Sequence, residues 1–211
     1  MKILPILIIY FLLIFNITNA QDTIVIVSGK HIFTKEYRID NNNRELIYKN
    51  KRGKEKSIFL DNVYSLIDSS GHESIIYNPE NNNQYKYSVI EMKDFVQGGY
   101  DASLYFHAPL STFYGFLAGT SSTIFMQNPL YAIFPSGGIC VIVGLPNVSQ
   151  KMITKKIPQF SENPFYYQGF NQEAKNKRFI NSVKGAAAGI FTGLTIIILQ
   201  LSDKLPEITF N

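Results

Sequence analysis

The chain contains no tryptophan, one cysteine and three histidines, and only 17% of its residues are charged. A single cysteine, Cys140, excludes an internal disulfide framework. It sits in the apolar run GGICVIVG and reads as a buried, inert thiol. His31 and His72 are isolated, with no second ligand type at metal spacing, so no metal or other cofactor is expected. His107 has no serine or cysteine nucleophile in motif context nearby, and a catalytic triad finds no support. The formal net charge of +4 is too small to argue for nucleic acid, and no fold that stacks and reads bases is recognisable. The chain is expected not to be an enzyme.

What is present begins with MKILPILIIYFLLIFNITNA. Lys2 is a minimal positive region, Ile3 to Phe15 an apolar core, and Thr18-Asn19-Ala20 a small-x-small cleavage site. Residues 1–20 therefore read as a secretory signal peptide, with Gln21 as the first mature residue. The alternative, an uncleaved anchor, is short against the ~20 residues of a membrane span. Either way the remainder is expected to be exported.

Residues 22–87 alternate β-branched runs with turn residues. DTIVIVSGK, HIFTKEYRI before DNNN, RELIYKN before KRGK, EKSIFLDNVYSLID before SSG, and HESIIYN before PENNN make up the pattern. It predicts about five short strands and no helical period. So short a meander must hide its edges, and a small SH3-like or Sm-like barrel is the expected form. Its densest basic stretch, KNKRGKEK at 49–56, fits either an anionic partner or a solvated hairpin tip.

Residues 88–107 open with Ser88 and carry Glu91 three positions later, a helix-start signature. At helical spacing Glu91, Asp94, Gly98, Asp101 and Tyr105 share one face, opposite Val89, Met92, Phe95, Val96, Tyr100, Leu104 and Phe106. The carboxylates read as a solvated or ion-paired helix face. A catalytic acid/base pair is the competing reading.

Two uncharged, marginally apolar segments follow over 109–145, and a third runs over 183–201. One or two of the first pair, with the third, give two to three expected transmembrane helices and an α+β membrane protein. Ser111, Gly115 and Gly119 lie four apart in the first, and Gly185, Gly189 and Gly193 lie four apart in GAAAGIFTG. Helices in lipid associate by close backbone packing, which small residues permit, so these two faces are expected to pack within one chain or between chains. The intervening stretch, 146–182, is basic and aromatic, and is expected to turn helical from about Asn171. Its lysines favour the cytoplasmic side. A hairpin at 109–145 would instead return it to the side of the acidic stripe. Lys175, Lys177 and Arg178, just before the third segment, are candidate contacts for anionic headgroups.

EMKDFVQGGYDASLYF (91–106) and NPFYYQGFNQEAKNKRFINSVKGAAAGIFTG (163–193) together resemble an uncharacterised group of bacterial envelope proteins. In that group a signal peptide and small β-domain precede a Met-x-x-Tyr-x-x-Gly-x-x-Asp-Ala helix. A Tyr-x-x-Gly-Tyr…Ala-Lys-x-Lys-Arg segment then leads into a glycine-rich membrane helix. Met92, Phe95, Gly98, Asp101 and Ala102 match the first pattern, with phenylalanine where tyrosine is usual. Tyr167, Gly169, Phe170, Ala174, Lys175, Lys177 and Arg178 match the second, with phenylalanine for the second tyrosine. The resemblance implies an envelope location and no catalytic residues. The expected function is a membrane-anchored structural or protein-interaction role. Its partners are membrane lipids and, through the glycine faces, a second copy or another membrane protein. The alternatives are a transport or pore-forming subunit, with Thr120, Ser121, Ser122 and Thr192 as polar lining, and an envelope hydrolase using Asp94, Asp101 or His107.

Overall fold

The computed structural model describes residues 21–81, 86–158 and 162–202, so the signal peptide expected at 1–20 lies outside the described residues. The chain divides into a β unit, up to Val89, and a helical unit from Ile90 onward.

Among the described residues the β unit holds seven strands: β1 Asp22–Ile26, β2 His31–Thr34, β3 Tyr37–Asp40, β4 Glu45–Lys49, β5 Glu55–Phe59, β6 Val63–Ile67 and β7 Glu73–Ile75. They form two antiparallel sheets, ordered β2-β1-β6-β7 and β3-β4-β5. The expected SH3-like or Sm-like barrel is therefore corrected to two open sheets. The reason lies in two runs that each read as one strand. HIFTKEYRI breaks after Thr34, whose buried hydroxyl donates to the Glu36 and Lys49 carbonyls and turns the chain from the first sheet into the second. EKSIFLDNVYSLID breaks at a 3-10 turn, Leu60–Asn62, and returns the chain to the first sheet. Strands of three to five residues then stop before the sheets can join into a ring. Instead the sheets share a core, with Ile24, Val63 and Leu66 from one and Leu46 and Tyr48 from the other. Burying such side chains is worth roughly 1.5–3 kcal/mol each. The basic stretch 49–56 is the β4–β5 hairpin tip: the Asn50 side chain accepts from the Arg52 and Lys54 amides, and Gly53 adopts a left-handed φ of 76°.

The helical unit contains α1 Val89–Tyr105, α2 Pro109–Met126, α3 Pro129–Gly144, α4 Gln150–Lys156 and α5 Pro164–Ser202. Each break is written locally. Pro109 stands in the first turn of α2, where no amide donor is needed. Gln127 closes α2 in the left-handed region, with its amide on the Thr123 carbonyl. Asn128 then caps α3 by accepting from the Leu130 amide. α5 begins earlier than the expected Asn171, because the Asn163 side chain accepts from the Phe165 and Tyr166 amides and Pro164 follows it.

At 39 residues α5 is about 58 Å long, roughly twice a bilayer's hydrocarbon core. α2 runs parallel to it: Thr112 and Phe116 face Gly185 and Gly189, and Gly115 and Gly119 face Ser182 and Ala186. α3 runs antiparallel, with Gly144 on Phe179 and Cys140 on Ser182. α2 and α3 thus form a hairpin that brings α4 back to the end of the unit occupied by α1. A core of Ala102, Phe106, Val148, Ile153, Tyr166 and Phe170 gathers there.

Among the described residues one helix, α5, is long and apolar enough to cross a membrane, which corrects the expected two to three. α3 has 16 residues, about 24 Å, and a proline at 135. The serines, threonines and glycines of α2 dilute its hydropathy.

Candidate functional site

The acidic residues of α1 fall into different environments. Asp101 is buried at 7% exposure. Its two oxygens accept from the Tyr166 hydroxyl at 2.8 Å and the Gln97 amide at 3.1 Å. Tyr166 is fully buried in the first turn of α5, well before the charge-free stretch 185–201. Burial first, then the hydrogen bond to Asp101, pushes its hydroxyl far above the ordinary tyrosine range, so it remains a donor. Asp94 is half-buried and accepts from the Asn163 side chain at 2.7 Å. Asn163 therefore caps α5 with its oxygen and holds α1 with its nitrogen. Glu91 lies half-buried in the first turn of α1. His107 is exposed beyond the end of α1. Chemically, the Asp101–Tyr166–Gln97 group is a charge-assisted clamp that sets the rotation of α5 against α1.

Glycine makes that approach possible. A Cβ on Gly98 would collide with the Tyr166 carbonyl, and one on Gly169 with the Phe95 carbonyl. Gly98 thus belongs to the buried contact rather than to the polar face with which its spacing grouped it.

The C-terminal end of α1 gathers cations. Lys177 donates to the carbonyls of Ala102, Ser103 and Phe106. Lys156, on α4, donates to the Tyr105 carbonyl at 2.8 Å. Arg178 donates to the Pro146 carbonyl and stacks 5.1 Å from the centre of the Phe106 ring. The last carbonyls of a helix have no partner within it and carry the negative end of its dipole, so positive donors satisfy both. Of the three residues expected at headgroups, Lys177 and Arg178 turn inward onto backbone, while Lys175 is partly exposed.

The small residues of α2 and α5 meet face to face. A Cβ on Gly115 would strike the Ser182 carbonyl, and one on Gly119 that of Ala186. From the other side, Gly185 and Gly189 lie against the Thr112 and Phe116 carbonyls, and a Cβ on Gly193 would come within 2.7 Å of the Thr123 Cβ. Ser111 is buried at the head of the same ridge. Thr120 crosses the seam, its hydroxyl donating to the Gly189 carbonyl at 3.1 Å, and the Thr192 hydroxyl bonds back to Ala188.

The contacts that Tyr166, Gln97, Asn163 and Lys156 make are not marked in the sequence, where Tyr166 suits a membrane-interface belt rather than the buried place it takes. Asn163-Pro164 is a readable helix start. The other three act across 51 or 65 residues or within a mixed face, and no local spacing marks them. Among the described residues no group of histidine, cysteine and carboxylates could hold a metal ion. No protein family matches the chain, and no curated protein or solved structure matches it either.

Proposed function

We propose that the chain is a non-enzymatic, membrane-anchored protein of the bacterial envelope, with its β unit exported and a structural or protein-interaction role. The observation that carries the reading is the division of α5 into two halves. Up to Lys184 it is polar and fastened to α1; from Gly185 to Leu201 it holds no charge, and Phe191, Ile198, Leu199 and Leu201 stay exposed. Large bare apolar patches are unfavourable in water and ordinary on the outside of a membrane helix. The signal-like residues 1–20 and the resemblance to envelope proteins supply the compartment.

In this reading α5 is the anchor. The glycine seam with α2 stiffens it, and the clamp at Asp101 ties it to the polar part of the unit. Because Gly185, Gly189 and Gly193 already face α2 of the same chain, a protein partner meets the outer surfaces of the unit rather than the glycines. The test is extraction of membranes with alkaline carbonate. The full chain is expected to stay with the membrane pellet. Release into the supernatant contradicts the anchor.

A further inference from the structure

Between α3 and α5 lies a groove of about 430 Å³. Leu130, Ile133 and Gly137 form one wall and Ala187, Ile190 and Phe191 the other. Among the described residues no charged one lines it. It is a wedge: the helices touch at its head, where the Ser182 hydroxyl approaches the Cys140 carbonyl, and it opens towards the start of α3. The space beside α3 is open, for a Cβ on Gly137 would meet nothing within 4 Å. Water gains little in such a space, since a buried water needs two to four polar partners.

A positive charge stands at the head of this wedge. Lys184 follows the lining residue Val183 and precedes Ala187 and Phe191 by three and seven positions, so it lies on the strip of α5 that borders the groove. It is exposed, and among the described residues no hydrogen bond or ion pair holds it. Its neighbours Lys177 and Arg178 are committed to backbone carbonyls.

The geometry points to a lipid site: one acyl chain of an anionic phospholipid lies in the α3–α5 groove, with its phosphate at Lys184. The inference rests on the membrane-anchored reading above. Charge complementarity selects the occupant. An apolar slot bordered along α5 by an ammonium, at the last charged position before the apolar half of that helix, matches a chain joined to a phosphate. The second copy is the less suited occupant, because it would leave Lys184 without a counter-charge.

The full chain, purified in mild detergent, is incubated with mixed micelles of phosphatidylglycerol and phosphatidylcholine, and its retained lipid is read by native mass spectrometry. Wild type is expected to retain phosphatidylglycerol over phosphatidylcholine by about fivefold, the effect of one lysine near a lipid surface. Lys184→Gln is expected to retain both equally. Gly137→Trp, which fills the open side of the wedge, is expected to retain neither while keeping its helical circular dichroism. A wild-type chain free of lipid, a dimer without lipid, or unchanged retention in Gly137→Trp overturns the site. Equal retention by wild type and Lys184→Gln overturns the role of the phosphate. Failure of the anchor reads differently, as release from membranes in carbonate, whereas failure of this site leaves membrane association intact.

Discussion

The Tyr166 hydroxyl donates to the Asp101 carboxylate at 2.8 Å, across 65 residues of sequence and inside the helical unit. The pair joins the glycine-rich middle of α1 to the first turn of α5. Tyr166→Phe leaves a buried carboxylate with the Gln97 amide alone. A hydrogen bond to a charged group is worth roughly 1.5–3 kcal/mol. The variant is expected to lose about that much, and Tyr166→Phe with Asp101→Asn together less than the sum of the two singly. Urea titration of the full chain in detergent, followed by helical circular dichroism, measures it.

Lys177→Met removes the ammonium that serves three carbonyls at the end of α1 while keeping most of the side-chain stem. Loss of this cap is expected to destabilise the α1 end by about 1–3 kcal/mol. Hydrogen exchange across residues 102–108 is expected to speed up, with the β unit unaffected.

Glycine position decides tolerance along α5 and its partners. Gly189→Leu places a side chain against the Phe116 carbonyl and the Thr120 amide, whereas Gly137→Leu meets open space. Overpacking costs roughly 1–3 kcal/mol and more where backbone cannot yield. Limited proteolysis is expected to cut Gly189→Leu readily between α2 and α3 and to leave Gly137→Leu as resistant as wild type.

Much of the local structure was legible because it is written locally. Turn residues bounded the strands, and Ser88 before Glu91 announced α1. The barrel expectation fails because the Lys35–Glu36 break has neither glycine nor proline; a threonine hydroxyl makes the turn there by bonding to a strand 15 residues on. The site was less legible for the same reason. Asp101 has the helical phase of a surface residue, and only the distant Tyr166 makes its burial tolerable. Lys177 and Arg178 looked like headgroup contacts because sequence shows a charge next to an apolar helix and not the carbonyls folded over it.

In the β unit, His31 is half-buried on β2 opposite Val25. Burial lowers its pKa from the ordinary 6.5, and nearby Glu73 offsets this only in part. The folded state therefore favours neutral imidazole. Between the folded value and 6.5 the unfolded chain binds more protons, so stability falls as pH drops below about 6.5. Thermal unfolding of the β unit, monitored by proton exchange between pH 7.5 and 5, is expected to show that loss in wild type and a smaller one in His31→Gln.

α1, α4 and the first half of α5 pack together, so under the proposed function all three lie on one side of the membrane. Single cysteines at Lys93 on α1 and Ser149 before α4, both exposed, are placed in a Cys140→Ser background and treated with a membrane-impermeant thiol reagent in intact cells. Both positions are expected to label from outside. Labelling at one position with protection at the other until lysis would separate α1 from α4 across the membrane and contradict it.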